Sequence, residues 1–118
     1  MSYSKGLHIL AEIDTHQLAT LNDYLPLKHL LDSQIRLHGL TIVGEVFSSF
    51  DGGGGFTGVY CLTESHISIH TWPEFGRVTY DVFLSNYRNN NEPIVRAIHE
   101  ALVVYFSPHT ITQNEVYR

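Results

Sequence analysis

The order of strand-like and helix-like segments is the feature that most restricts how this sequence can fold. From Leu7 to Ile13, apolar residues mostly alternate with other residues, which predicts a half-buried first strand. Two later segments, about 23–38 and 92–106, carry apolar residues at steps of three and four, which predicts two helices. Strand-like segments therefore precede, separate and follow the helices.

Capping residues support these helix boundaries. Asn22 or Asp23 is expected to cap the first helix, and Gly39 is placed to end it. The run Asn89–Asn91 offers a cap for the second helix.

The extended segments are separated by turns that contain glycine or proline, and strand-forming residues dominate each segment. The order of elements predicts an α+β, two-layer sandwich in which an antiparallel sheet is covered on one face by two helices. The expected strands after the first are residues 40–50, 56–63, 66–71, 77–84 and 111–116, with turns at Gly52–Gly55 and Pro73–Gly76.

Length and charge narrow the classes of function. A chain of 118 residues is the size of one domain. So short a chain leaves an active site in need of a second subunit to complete its walls, so we expect a homodimer or a higher homo-oligomer. The net charge of -5 disfavours nucleic-acid binding and suits a small cationic substrate.

The cysteine content and the first residues favour the cytoplasm. Cys61 is the only cysteine, so an internal disulfide is excluded, and we expect it to be a small core residue. Residues 1–10 contain no long apolar segment of the signal or membrane type. We therefore expect a cytoplasmic protein without membrane association.

The segment 57–74 carries most of the chemically active side chains. In a strand, Glu64, His66, Ser68 and His70 lie on one face, and Ser65, Ile67, Ile69 and Thr71 on the other. A metal site shared by His66 and His70 is disfavoured, because a strand advances roughly 13 Å over four residues.

A serine hydrolase with Ser65 as nucleophile is also disfavoured, because Ser65 lies between Glu64 and His66 without a nucleophile-elbow motif. The remaining simple interpretation is a polar face of a sheet. Spacing alone does not decide between that interpretation and a catalytic site.

The residues themselves resemble a known family. ESHISIHTWPE, from Glu64 to Glu74, is similar to the processing-site signature of prokaryotic S-adenosylmethionine decarboxylases, which are pyruvoyl-dependent. The similarity extends back through TGVY and forward through YDVF, and more weakly to HILAE near the N-terminus and to TIV after Gly39. Nearly the whole chain is consistent with that family.

This resemblance implies that the chain cuts itself. In the family, a serine hydroxyl attacks the preceding carbonyl, which converts the peptide into an ester; here Ser65 would attack Glu64. Elimination and loss of ammonia then leave a pyruvoyl group derived from Ser65, and residues 1–64 and 65–118 become two subunits of one fold. That group accepts the electrons released on decarboxylation, so no external cofactor is expected.

The resemblance also implies roles for further residues. His70 matches the histidine that moves the α-proton during ester breakdown, and Thr57 matches a hydroxyl that assists processing. Phe50 and Trp72 match aromatic rings around the adenosyl group, and Glu74 could accept hydrogen bonds from ribose hydroxyls.

Two positions depart from the family pattern. Ser85 stands where members usually have a cysteine that donates a proton to the decarboxylated intermediate, and a serine hydroxyl is a far weaker acid than a thiol. Cys61 is no obvious replacement. Asp51, in the glycine-rich loop, could bind a positive end group, or it could simply start the turn.

Three functions therefore stay open. The first is an S-adenosylmethionine decarboxylase of polyamine biosynthesis. The second is a pyruvoyl-dependent arginine or ornithine decarboxylase on the same scaffold. The third is an uncleaved, non-catalytic homologue that binds a ligand or a partner.

Overall fold

The computed structural model describes residues 3–118, and its main feature is one antiparallel sheet of six strands. In space the strands follow the order β2-β3-β4-β5-β1-β6, and every neighbouring pair is antiparallel. All the predicted strands are present, with ends that differ by a few residues. They are β1 (Leu7–Thr15), β2 (Ile42–Ser49), β3 (Phe56–Leu62), β4 (Ser65–Trp72), β5 (Arg77–Leu84) and β6 (Pro108–Tyr117).

The helices form a second layer on one face of this sheet. They are α1 (Ala19–Asn22), α2 (Leu25–Leu37) and α3 (Glu92–Phe106). The predicted α+β architecture is confirmed, with α1 as a one-turn addition to the two expected helices. Helix α3 packs on β1 and β5, α1 contacts β4, and α2 contacts α3.

One apolar core fills the space between the two layers. The helices contribute residues spaced by three or four, and the strands contribute every second residue, as burial of one face requires. The buried set includes Leu27, Leu31, Ile35, Val95, Ile98 and Leu102 from the helices, and Ile9, Ile13, Tyr60, Ile67, Ile69, Val78 and Val82 from the sheet.

The start of α2 differs from the prediction. The helix begins at Leu25 rather than at residue 23, and Asn22 is the last residue of α1. Tyr24 occupies the N-cap position without a side-chain cap, while Asp23 accepts a hydrogen bond from the backbone N–H of Leu25 at 3.0 Å. Pro26 lies in the first turn, where its fixed φ suits helix initiation, so the start is shifted toward it.

The other predicted helix boundaries agree with the structure. Gly39 follows α2 with φ +70°, and its N–H donates to the carbonyl of Arg36, as is typical of a helix end. Asn91 occupies the N-cap position of α3 but makes no side-chain cap; Asn90 instead accepts a hydrogen bond from the N–H of Glu92 at 3.1 Å.

The opposite side of the sheet, called the open face below, has no helix over it within residues 3–118. Polar and apolar side chains mix there, and Leu10, Val46 and Val116 are 39%, 67% and 45% exposed. The open face is defined by His8, Leu10, Val46, Thr57, Val59, Cys61, His66, Ser68, His70, Thr79, Asp81, Phe83 and Val116.

No helix within residues 3–118 combines the length and apolar character needed to cross a membrane.

Candidate active site

Strand β4 carries the site and lies in the middle of the sheet, between β3 and β5. Its alternation agrees with the prediction: Ile67, Ile69 and Thr71 are buried on the helix side, and His66, Ser68 and His70 lie on the open face. Pairing on both sides prevents β4 from shifting by one residue, which would exchange these two sets.

The peptide bond between Glu64 and Ser65 lies where the chain turns from β3 into β4. The Glu64 carbonyl accepts a hydrogen bond from the backbone N–H of Ser85 at 2.8 Å. Ser65 has φ +152°, a conformation that residues with a side chain rarely adopt. Its Oγ lies 3.2 Å from Nδ1 of His66, so its hydroxyl does not follow the simple alternation of the strand.

A carboxylate organises the side chains next to Ser65. Oδ2 of Asp81 lies 2.6 Å from Nε2 of His66 and 2.7 Å from Nε2 of His8. Ser68 donates its hydroxyl to the other oxygen, Oδ1. Burial raises the pKa of Asp81, but the hydrogen bonds from Ser68, His8 and His66 outweigh burial, so the net pKa lies below its ordinary value.

His8, His66 and Asp81 form a group within residues 3–118 whose potential metal-ligand atoms lie within 4.8 Å of one another. The contacts of 2.6 and 2.7 Å to Asp81 are hydrogen-bond distances. An ion bound about 2.0–2.2 Å from each ligand would have to push these atoms apart. We therefore describe the cluster as hydrogen-bonded, and the absence of a metal stays a prediction.

A second group of predicted residues surrounds His70. Thr57 on β3 pairs with His70 on β4, and its hydroxyl lies 2.7 Å from Nδ1 of His70. The His70 ring lies near two aromatic rings, with centroid distances of 4.1 Å to Trp72 and 5.8 Å to Phe50. The structure thus brings four of the predicted site residues together.

Two further predicted residues lie in exposed loops beside this second group. Asp51 follows Phe50 in a short 3-10 turn, and Glu74 lies in the turn that follows Trp72. The two loops approach each other closely, because an added Cβ at Gly55 would lie 2.8 Å from Cδ of Pro73. The glycine at position 55 is therefore required for this close approach.

The two groups lie at opposite ends of β4. Ser65 opens the strand and His70 comes five residues later. At about 3.3 Å per residue, that separation is roughly 17 Å, which is far beyond hydrogen-bond distance. One copy of the chain therefore does not bring Ser65 together with His70 and Thr57.

A cavity of about 460 Å³ lies beyond the Glu64–Ser65 bond, and its lining includes Glu64, Ser85, Arg88 and Asn91. Ser85 is held by its backbone: its N–H donates to Glu64, and its carbonyl accepts from the side chain of Asn91 at 2.8 Å. The Ser85 position therefore faces the bond at which cleavage is predicted.

The prediction that Cys61 is a core residue is wrong. Its side chain is exposed and lies on the open face, directly across from His66. The alternation of β3 explains this placement, because the neighbouring Tyr60 and Leu62 point to the core and leave Cys61 on the other side.

Comparisons with a family model, with curated proteins and with solved structures all indicate the same family. Residues 7–118 match the family described as S-adenosylmethionine decarboxylase. The chain belongs to this family.

Members of the S-adenosylmethionine decarboxylase family from several bacteria are similar to this chain. The S-adenosylmethionine decarboxylase proenzyme of Hydrogenobaculum sp. (strain Y04AAS1) is 40% identical over 83 residues, and that of Aquifex aeolicus (strain VF5) is 40% identical over 86 residues. Each match covers 70% of this chain and 61% of the relative. The chain thus matches about six tenths of the length of these curated relatives.

The fold agrees with a solved member of the family. The crystal structure of the adenosylmethionine decarboxylase from Aquifex aeolicus VF5 superposes with a TM-score of 0.82 at 30% identity, covering 99% of this chain and 92% of that chain.

The sequence of this member of the S-adenosylmethionine decarboxylase family does not predict the cluster around Asp81. The strand pattern places His66 on one face of β4 but does not connect it with Asp81 or with His8. Period two places Asp81 outward on β5, but its contact with His8 joins residues 73 positions apart. Only the pairing of β1 with β5 reveals that contact.

The pKa of Asp81 predicts a pH-dependent stability. Because the pKa of this carboxyl is lower in the folded protein than its ordinary value, folding favours the ionised form. The resulting stabilisation is complete above the pKa of the unfolded chain and is lost as pH falls through the folded pKa.

Urea unfolding between about pH 6 and about pH 3 measures this effect. We expect the free energy of unfolding of the wild type to fall more steeply with acidification than that of Asp81→Asn. Asp51→Asn, which removes an exposed carboxylate, is the control and should follow the wild type. Equal pH dependence of wild type and Asp81→Asn would contradict the assignment.

Proposed function

We propose that this protein is a self-cleaving, pyruvoyl-dependent decarboxylase that acts on S-adenosylmethionine. The observation that carries the proposal is the arrangement at the Glu64–Ser65 bond in a chain of this family. The Ser65 hydroxyl lies beside the imidazole of His66, the backbone at Ser65 is strained, and the carbonyl to be attacked already accepts a hydrogen bond from Ser85.

Cleavage at this bond would leave residues 1–64 and 65–118 in one folded unit. Strands β3 and β4 flank the bond and are paired from Thr57–His70 to Leu62–Ser65, so their hydrogen bonds hold the two fragments together. The pyruvoyl group formed from Ser65 would supply an electron sink for decarboxylation. The chain's own residues then have to bind the substrate and move protons.

The second group of residues has the chemistry needed for an adenosyl substrate. Phe50 and Trp72 flank His70 with their aromatic rings, and such rings stack on a purine. Glu74, in the adjacent turn, can accept hydrogen bonds from ribose hydroxyls. Asp51, in the neighbouring loop, adds a negative charge that suits the cationic substrate.

A decarboxylation assay tests both the proposed activity and the identity of the substrate. We expect carbon dioxide release from carboxyl-labelled S-adenosylmethionine by the wild type, and none from Ser65→Ala. Release from arginine or ornithine alone would contradict the assignment of substrate, and an uncut, inactive wild type would favour a non-catalytic homologue.

The variant Ser85→Cys tests, in the same decarboxylation assay, whether the residue at position 85 donates the proton. Because Ser85 faces the cleavage site where the family pattern has a stronger acid, we expect a faster turnover of S-adenosylmethionine, by about tenfold or more, since positioned proton transfer contributes roughly 10²–10⁴-fold. Unchanged turnover would show that the proton comes from another group.

We further propose that the active enzyme is a homodimer that pairs its open faces. Within one chain Ser65 and His70 are roughly 17 Å apart on the same strand, yet the proposed processing requires both. A two-fold axis passing near Ile67 and Ser68 would place Ser65 of one copy opposite His70 of the other, and the reverse, as isologous contacts do.

The composition of the open face supports a second copy as its cover. Leu10, Val46 and Val116 expose apolar side chains on it, and burying them between two copies is favourable. The same contact would enclose the two groups of site residues between two sheets and exclude water from them. The cytoplasmic location expected from the sequence stays a prediction.

Complementation tests the shared site. Ser65→Ala and His70→Ala should each fail to form the pyruvoyl fragment when expressed alone. When differently tagged copies are co-expressed, a mixed dimer contains one complete site, made of Ser65 from the His70→Ala chain and His70 from the Ser65→Ala chain. We expect cleavage of the His70→Ala chain only.

The control pairs His70→Ala with the double variant Ser65→Ala/His70→Ala, which should stay uncut because neither chain supplies His70. The shared site would be contradicted if mixed dimers, isolated through both tags, contained no cleaved chain.

A further inference from the structure

The contacts around Ser65 assign a role to a residue that neither the spacing nor the similarity identified. We propose that His66 is the catalytic base that activates the Ser65 hydroxyl for attack on the Glu64 carbonyl, with Asp81 as the residue that positions and supports it. The inference rests on the proposed self-cleavage and concerns its first step, the conversion of the peptide into an ester.

The hydrogen-bond pattern fixes which nitrogen of His66 can act as base. A carboxylate only accepts hydrogen bonds, so Nε2 of His66, 2.6 Å from Oδ2 of Asp81, carries the hydrogen. In the neutral ring, Nδ1 is then the acceptor, and it is Nδ1 that lies 3.2 Å from Oγ of Ser65. The hydroxyl therefore points its proton at a free lone pair.

The serine, histidine and aspartate thus have the mutual contacts of a nucleophile, its base and the group that orients the base. His70 is not available for this task within the same chain, because Thr57 contacts its Nδ1 at the other end of β4. Among residues 3–118, His66 is the titratable side chain hydrogen-bonded to the Ser65 hydroxyl.

His8 keeps the charge of Asp81 available for His66. Its Nε2 also donates to Oδ2 of Asp81, but its Nδ1 is buried, and no hydrogen-bond partner for it occurs in the described part of the chain. A proton on that Nδ1 would be a buried donor without an acceptor, which is unfavourable. His8 therefore acts as a neutral donor, and the negative charge of Asp81 is left to stabilise a protonated His66.

The chain itself supplies every group needed to convert the Glu64–Ser65 peptide bond into an ester. The Ser65 hydroxyl gives its proton to Nδ1 of His66 while its Oγ forms a bond to the carbonyl carbon of Glu64. The carbonyl oxygen becomes negative, and the N–H of Ser85, 2.8 Å away, stabilises it.

The C–N bond between Glu64 and Ser65 then breaks, and its electron pair stays on the Ser65 nitrogen, which takes the proton back from His66. The product is an ester and a free amine, with no atoms gained or lost. Breaking this bond also frees the Ser65 backbone from its strained φ of +152°.

Hydroxylamine cuts esters, so it distinguishes the formation of the ester from its later breakdown to the pyruvoyl group. Purified wild type, His66→Gln and His70→Gln are incubated with and without hydroxylamine and followed by intact mass. Gln at position 66 can still donate to Asp81 but has no basic nitrogen in place of Nδ1. We expect His66→Gln to stay uncut in both conditions, with cleavage slowed by at least about 100-fold.

The matched control is His70→Gln, in which only ester breakdown should fail. We expect hydroxylamine to cut it between residues 64 and 65 and to release a fragment that begins with an intact serine. The proposal is overturned if His66→Gln cleaves at the wild-type rate or is cut by hydroxylamine as readily as His70→Gln. Wild type that is never cut would instead contradict the self-cleavage itself.

Circular dichroism and thermal melting establish whether His66→Gln is folded. If it is not, His66→Asn replaces it, with the same expected and contradicting results.

The positioning role of Asp81 is tested by rescue with a second carboxylate. Asp81→Asn should lose the ester, and Asp81→Glu, which restores the carboxylate, should recover it in part. Loss of the ester in both Asp81 variants, with the fold retained, would contradict the carboxylate's role.

Discussion

The pairing of β4 with β3 on one side and β5 on the other is the constraint on which both the core and the site depend. It directs Ile67 and Ile69 into the core and His66 and His70 onto the open face. A shift by one residue would bury the imidazoles and expose the isoleucines, so the hydrophobic energy of the core also holds the imidazole side chains in place. The same pairing holds the Glu64 carbonyl against the N–H of Ser85.

Electrostatics at the site follow from one half-buried carboxylate. Asp81 accepts hydrogen bonds from two imidazoles and one hydroxyl, which together outweigh the cost of its burial. In the proposed first step the carboxylate also selects the tautomer of His66, so it would couple the proposed chemistry at Ser65 to the pairing of β5 with β1 and β4. The sheet thus defines the position and the hydrogen-bond partners of the groups beside Ser65.

Much of the fold could be predicted from local pattern. The alternation in β1 and β4, the periodicity of α2 and α3 and the turn residue Gly39 depend on near neighbours, and each agrees with the structure. The start of α2 was displaced because Asn22 belongs to the unexpected turn of α1. Cys61 differs from its prediction because Tyr60 and Leu62 set the phase of β3 and turn Cys61 to the open face.

The positions of the candidate site residues were predictable in part. The motif from Glu64 to Glu74 indicated Ser65 and His70, and the aromatic pair Phe50 and Trp72 does flank His70. The contact of Asp81 with His8, and the distance between Ser65 and His70, depend on strand order and register. Those long-range properties are not encoded in any short segment.

The central claim is that the bond between Glu64 and Ser65 breaks by the action of the chain itself. Intact mass of freshly purified protein, followed over time beside Ser65→Ala, tests it most directly. The account predicts that the wild type resolves into fragments 1–64 and 65–118, the second lighter by one ammonia than its sequence requires and reactive toward carbonyl reagents, while Ser65→Ala stays whole. A folded wild type that keeps its full mass of 13.4 kDa and shows no reactive carbonyl would contradict the account.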